Sequence, residues 1–189
     1  MSQAFPLSLK DIDRSWTLFI DRDGVINQKR DNDYVKRWEE FIFIAGSLAA
    51  LNHFRQLFGR MLIVTNQRGI DRGLMTEEDL SIIHQKMLAE IANQGAQIDQ
   101  VYYCPHHPEN DHRAWRKPQI GMALQAKKDF PEIDFQRSIM IGDAWSDMEF
   151  GRNAGMHTIW ISSQEMPVAN APLVDLQLPS LHALSQLLP

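Results

Sequence analysis

The sequence predicts an α/β fold, a three-layer sandwich with helices on both faces of a central parallel sheet, on three observations. Short apolar runs recur at 17–20, 61–65, 101–103, 139–141 and 158–161. Segments with apolar residues at helical spacing lie between them, and strands alternating with helices lead to parallel pairing through right-handed crossovers. Three of the runs stop abruptly at acids, a hydroxyl or glycine, as strands do when their carboxyl ends open on a ligand crevice.

Each element follows from its residues. Positions 1–15 form a polar lead-in with a helical turn expected at 8–13. The run Thr-Leu-Phe-Ile at 17–20 ends in Asp21, Asp23 and Gly24 and reads as a buried strand. Segment 46–58 places Leu48, Leu51, Phe54 and Leu57 on one helical face. Met-Leu-Ile-Val-Thr-Asn at 61–66 is the second strand with its polar end. Thr76 with Asp79 three residues on is a near capping box. It opens a helix whose expected buried stripe is Ile82, Ile83, Met87, Leu88 and Ile91. A strand at 101–103, a helix at 121–130, a strand at 139–141, a helix at 146–154 and a strand at 158–161 complete the series.

Composition narrows the function. The chain has 189 residues, within the range of one domain, and 44% hydrophobic residues support a core. No apolar run approaches a membrane span. The first residues lack the basic start and long apolar stretch of a secretory signal. One cysteine, Cys104, excludes an internal disulfide. The expectation is a cytoplasmic protein, with a monomer favoured. A net charge of −5 argues against broad nucleic-acid or anionic-membrane binding. An anionic small substrate stays open, because local cations outweigh the global field.

Asp21 and Asp23 lie two residues apart and face one side if the strand continues. One acid of such a pair attacks while the other moves a proton, and both help to hold a divalent cation. Taken alone, Asp-x-Asp-Gly is equally well a turn. Three later segments weigh against that: Thr65-Asn66 at a strand end, Arg116-Lys117-Pro118 before a helix, and Gly142-Asp143 followed by Asp147.

Acid pair, hydroxyl, lysine and acid pair, in that order on strand ends, resemble the motif set of the haloacid dehalogenase superfamily. Asp-Arg-Asp-Gly-Val-Ile-Asn (21–27), Asp-Tyr-Val (33–35), Thr-Asn-Gln-Arg-Gly-Ile-Asp-Arg-Gly (65–73) and Tyr-Tyr-Cys-Pro-His-His-Pro (102–108) narrow the likeness. They resemble the histidinol-phosphate and heptose-bisphosphate phosphatase branch, over roughly 16–161. The resemblance implies a Rossmann-like domain over 16–189. The intervals 23–65 and 65–117 leave no room for a folded cap, so loops near 27–40, 67–75 and 104–116 would select the substrate.

By resemblance, Asp21 is the nucleophile that forms an aspartyl-phosphate and Asp23 is the general acid and base. Thr65 and Lys117 neutralise the phosphoryl oxygens. Asp21, the backbone carbonyl of Asp23, and Asp143 hold Mg²⁺, and Asp147 orients Lys117 or lies behind the metal ligands. Asn66, Gln67 and Arg116 are implied to bind substrate, with Arg116 suited to a second anionic group; Arg68, a departure from the branch, is expected either to bind a distal anionic group with them or to occlude the pocket.

The sequence also departs from that branch. A structural zinc loop there has Cys-x-His and then Cys-x-Cys directly before Arg-Lys-Pro. Here Cys104-Pro105-His106 is present, but Arg113-Ala114-Trp115 precede Arg116. Cys104, His106, His107 and His112 lack the thiolate count and spacing of a closed site, which argues against structural zinc. Trp115 is expected to fill the space by packing. Arg68 stands where a small residue or an acid is frequent, and Ala144 where a longer polar side chain is common.

The leading expectation is an Mg²⁺-dependent phosphomonoesterase on a small phosphorylated metabolite, foremost a sugar bisphosphate such as D-glycero-D-manno-heptose 1,7-bisphosphate. Alternatives are a histidinol-phosphate phosphatase, a nucleic-acid 3′-phosphatase, and a non-catalytic binding protein that has kept the fold.

Overall fold

The computed structural model describes residues 7–30 and 33–189. Six strands form one sheet: β1 (Thr17–Ile20), β2 (Arg60–Asn66), β3 (Gln100–Cys104), β4 (Ser138–Gly142), β5 (His157–Ile161) and β6 (Leu176–Leu178). Their order is β3-β2-β1-β4-β5-β6, and every neighbouring pair is parallel. The helices are α1 (Ser47–Leu57), α2 (Glu77–Asn93), α3 (Gly121–Asp129), α4 (Trp145–Ala154) and α5 (Leu181–Ser185).

The strands are apolar throughout because both sheet faces are covered. Leu18 and Ile20 of β1 join Met61, Ile63, Ile139 and Ile141 on the face packed by α1, α2 and α5. Phe19 points the other way and meets Leu62, Val64 and Met140 under α3 and α4. The period-2 alternation therefore feeds two cores, one per face. The lead-in contributes Ile12, 6% exposed, to the first of them, and its turn is a 3₁₀ helix at Leu9–Asp11. Positions 1–6 of that segment lie outside the described residues.

The five expected strands and four expected helices are all present, within one to two residues at their ends. The capping box of α2 forms: Thr76 Oγ1 accepts from Asp79 N–H at 3.0 Å and Asp79 Oδ2 from Thr76 N–H at 2.8 Å. Its buried stripe needs correction. Ile82 is 43% exposed, and the buried face is Leu80, Ile83, His84, Met87 and Ile91. That set has the regular i, i+3, i+4, i+7 spacing, so the stripe begins two residues earlier. β6 and α5 were not expected.

Candidate active site

β1 is the point where the strand order reverses, and the crevice beyond its carboxyl end is where such sheets place ligands. Asp21 follows β1 directly, and its N–H donates to the Ile141 carbonyl at 2.8 Å. The chain then turns tightly: the Arg22 carbonyl accepts from Ile26 and Asn27 at 2.9 and 3.1 Å. Gly24 has φ +89°, and a Cβ there would run into the Asp143 carboxylate. Only glycine lets this loop close over the end of β4.

Lys117 lies under the crevice, 3% exposed. Its ammonium reaches Asp21 Oδ1 at 2.8 Å, Asp147 Oδ1 at 2.7 Å and the Val64 carbonyl at 2.8 Å. Three acceptors match its three donors. Burial opposes its charge, but Asp147 and Asp21 outweigh that and raise its proton affinity. Asp147 is equally committed, because Oδ2 accepts from the Ala144 N–H at 3.0 Å. Gly142 permits this closeness, since a Cβ there would collide with Asp147.

Asp23 is held differently. Arg22 Nη2 donates to both of its oxygens at 3.0 and 2.9 Å, Asn27 Nδ2 to Oδ1 at 2.9 Å, and Gln67 Nε2 to Oδ2 at 2.8 Å. The two acids are thereby driven apart. Burial raises Asp21 to about 6, with Lys117 opposing and Asp147 and Asp23 adding to the rise. Burial also pushes Asp23 upward, but the Arg22 charge and the bonds from Asn27, Arg22 and Gln67 overcome it and hold Asp23 below its ordinary value.

Asp143 follows β4. Burial and the Asp21 charge raise its proton affinity against Lys29 and Lys117. Lys29 Nζ meets its Oδ2 at 2.7 Å. The other basic residues of the flap that carries Lys29, about 25–44, are engaged locally: Lys36 with Asp33 at 2.8 Å, Arg37 with Glu40 at 3.0 Å, and Arg30 with Asp33 and Glu40 at 3.7 and 3.9 Å. Behind Asp143, Trp160 Nε1 donates to its backbone carbonyl at 2.9 Å. Trp145 lies against Trp160 with ring centroids 4.4 Å apart.

Among the described residues, the carboxylates able to share a cation are Asp21, Asp143 and Asp147, with oxygens within 4.8 Å of one another. Asp147 has both oxygens engaged, whereas Asp143 Oδ1 is buried without a hydrogen bond from any described residue. An oxygen-only set with an orphaned carboxylate oxygen fits a hard divalent cation.

The residues expected to bind substrate fall in different places. Asn66 uses its amide on Lys117: Nδ2 donates to the Lys117 carbonyl at 3.2 Å and Oδ1 accepts from its N–H at 3.0 Å. Gln67 is fully buried and donates to Thr65 Oγ1 at 2.9 Å as well as to Asp23. Arg68 is half-buried, its Nε without a partner among the described residues. The Arg116 N–H donates to Asp111 Oδ2 at 2.6 Å, while among the described residues its guanidinium makes one long hydrogen bond, to the His106 carbonyl at 3.5 Å. Trp115 packs edge-on to Tyr102 at 6.4 Å, with Arg113 over its ring at 4.3 Å. Cys104 is fully buried, which raises its thiol pKa.

Four residues escaped the sequence reading: Arg22, Asn27, Lys29 and His84. Arg22 had a signal, a guanidinium between two acids at a buried strand end, and it is fully buried. His84 had one too, its place in the stripe that starts at Leu80. Lys29 had none, because a flap's direction is not written in its spacing.

Comparison with known proteins follows the same line. The HAD-hydrolase-like family model matches residues 114–173. The D-glycero-alpha-D-manno-heptose-1,7-bisphosphate 7-phosphatase of Mycobacterium bovis is 38% identical over 138 residues, 73% of this chain and 72% of that protein. The D-glycero-beta-D-manno-heptose-1,7-bisphosphate 7-phosphatase of Rhodopseudomonas palustris is 37% identical over 166 residues, 84% of this chain and 91% of that protein. Among solved structures, D,D-heptose 1,7-bisphosphate phosphatase from B. bronchiseptica, complexed with magnesium and phosphate, superposes with a TM-score of 0.78. The match has 28% identity and covers 91% of this chain and 97% of that one.

Proposed function

The chain belongs to the haloacid dehalogenase-like phosphatases, in the group of the D-glycero-manno-heptose-1,7-bisphosphate 7-phosphatases, and from that premise we propose that it hydrolyses a phosphate ester of a heptose-type sugar bisphosphate. One arrangement carries the reading: Lys117 joined to Asp21 and Asp147 across strands, with Asp23 two residues along in its own cradle of donors.

Asp21 attacks phosphorus, the bond to the ester oxygen breaks, and the departing alkoxide takes a proton from Asp23. Water then attacks the phosphorus of the aspartyl-phosphate and gives its proton to Asp23. Inorganic phosphate leaves and Asp21 is restored. The two halves ask opposite things of Asp23. Its resting donors favour the anion, the form needed for the second half. A phosphate dianion arriving beside it raises its proton affinity for the first. Thr65, near the end of β2, and Lys117, in the loop before α3, would neutralise phosphoryl oxygens.

Asp21, Asp143 and the backbone carbonyl of Asp23 would hold Mg²⁺. Bound there, it would screen the repulsion between a carboxylate and a phosphate dianion. Asn66 and Gln67 serve by fixing Lys117, Thr65 and Asp23. Arg116 and Arg68 are assigned to the substrate's second phosphate, which the thin engagement of the Arg116 guanidinium supports. The place of action we propose is the cytoplasm, in carbohydrate metabolism. Among the described residues no helix is long and apolar enough to cross a membrane.

The test is phosphate release from heptose 1,7-bisphosphate in both anomers, histidinol phosphate and 4-nitrophenyl phosphate, with and without Mg²⁺. The expected result is the highest kcat/KM on one heptose anomer, and only with Mg²⁺. A preference for histidinol phosphate overturns the substrate. No release from any ester overturns the enzyme.

A further inference from the structure

Arg22 is fully buried and lies in sequence between the two reacting acids, yet it bonds only one of them, Asp23, among the described residues. A guanidinium held by one carboxylate through a single nitrogen can pivot. Here the pivot is closed from the far side. Arg22 Nη1 lies 3.0 Å from Nε2 of His84, a residue of α2 that is 8% exposed and 62 positions away. Phe41 covers the guanidinium with its ring centroid 5.9 Å from Cζ. We infer that His84 is a positioning residue for the reaction: as a neutral imidazole accepting at Nε2, it locks Arg22 in the orientation that places the Asp23 carboxylate against the leaving group.

The chemistry dictates the tautomer. Arginine only donates, so Nε2 must accept and the ring proton must sit on Nδ1. The surroundings favour the neutral ring: burial and the Arg22 charge drive His84 down to about 3, with only Asp23 opposing. The ring is steadied by Tyr103, edge-on at 5.9 Å, whose hydroxyl donates to Glu77 in the first turn of α2 at 2.5 Å. The helix that packs one face of the sheet therefore also sets the acid–base group. This rests on the phosphatase reading, because an aim for Asp23 has meaning only if Asp23 exchanges a proton with substrate.

The experiment separates aim from general integrity by varying the leaving group. General acid catalysis matters for an alkoxide and little for a nitrophenolate, which leaves without a proton. kcat/KM reports the first half-reaction, in which Asp23 is the acid. His84→Met, which keeps bulk but cannot accept, is expected to lower kcat/KM on heptose 1,7-bisphosphate by roughly 10–100-fold, part of the roughly 100–10,000-fold that acid catalysis contributes. On 4-nitrophenyl phosphate the loss should stay under about threefold, and on the heptose ester it should fall on kcat and leave KM nearly unchanged. His84→Gln, whose Oε1 can accept from Arg22, should restore most of the loss. Equal losses on both esters, or a Gln variant as poor as the Met variant, overturn the inference.

A second measurement needs no variant kinetics. In ¹⁵N-histidine-labelled wild type, His84 should show a bare Nε2 and a protonated Nδ1 from pH 5 to pH 9. A protonated Nε2 overturns the inference even if His84→Met does not fold. Absence of turnover by the wild type on both esters strikes the phosphatase reading instead, while the tautomer still reports whether His84 holds Arg22.

Discussion

Asn66 grips the backbone of Lys117 from both sides, its amide nitrogen on the carbonyl and its amide oxygen on the N–H. The residue at the end of β2 thus sets the height from which the Lys117 side chain enters the site. A displacement of about an ångström at a reacting group costs on the order of 100-fold. Asn66→Ala should lower kcat roughly 10–100-fold with KM nearly unchanged, since the lost interaction acts on positioning. A variant that raises KM at constant kcat would place Asn66 on the substrate instead.

Removing either end of the Lys117–Asp21 pair should have different consequences for stability. Lys117→Met leaves Asp21 and Asp147 buried without their shared cation, and breaking such a pair costs about 3–5 kcal/mol. Asp21→Asn removes a charge that burial and two neighbouring acids already disfavour, so little stability should be lost. Both variants should lose at least about 1,000-fold in kcat, as expected when a covalent nucleophile or the cation beside it is removed. Denaturant unfolding of the two side by side checks the contrast. Comparable destabilisation would show that Asp21 stabilises the fold as well.

Lys29 holds the carboxylate proposed for the metal, so a divalent cation should compete with it for Asp143. The ammonium occupies Oδ2 from a half-exposed flap position, so the pair is weak and separable. Lys29→Met should tighten Mg²⁺ binding about two- to fivefold, the range of a surface ion pair. Isothermal titration with Mg²⁺ measures it directly, and an unchanged or weaker affinity would rule out competition. In the wild type a chelator should abolish turnover, with Mg²⁺ and not Zn²⁺ restoring it.

Arg116 has its N–H tied to Asp111 and its guanidinium nearly unengaged. Arg116→Ala should raise KM for the bisphosphate about tenfold, as loss of a charged contact does, while 4-nitrophenyl phosphate hydrolysis stays within a factor of two. Equal losses on both substrates would put Arg116 at the reacting phosphate.

Asp175, just before β6, accepts from Arg152 at 2.7 Å and from the Thr158 N–H at 2.9 Å. Burial would raise it, but the nearby His157 ring at 3.5 Å and the bonds from Arg152 and Thr158 lower it to about 2 against an ordinary 3.8. A depressed carboxylate contributes stability above its unfolded value and loses it as pH falls toward the folded one. Asp175→Asn should therefore cost about 1–2 kcal/mol at pH 7. The difference from wild type should hold down to about pH 4 and narrow below it. A gap that stays constant through pH 3 would mean the carboxylate's charge is not the source.

The strand ends were legible because buried strands are apolar runs and three of them stop at a polar group proposed for the site. Asp21, Thr65 and Asp143 stand at such breaks, and Lys117 precedes a proline. β6 is three half-buried residues, Leu-Gln-Leu, too short to show a period. α5 spans only five residues. Second-layer geometry was illegible for another reason. Asn66 and Gln67 looked like turn residues facing a ligand, because sequence gives residue type and place but not which way an amide turns. Asp23's donors come from positions 22, 27 and 67, and only the folded turn brings them to one carboxylate.

Trp145 and Trp160 form a coupled indole pair whose buried member is hydrogen-bonded to the backbone of Asp143. Two chromophores this close split each other's excited states, and the splitting depends steeply on their relative angle. Because Trp160 is bonded to the Asp143 carbonyl, a shift of that carbonyl is expected to change the angle. The protein thus carries its own optical gauge of events at the end of β4. Near-ultraviolet circular dichroism can follow a cation or phosphate entering the crevice without a label and without turnover.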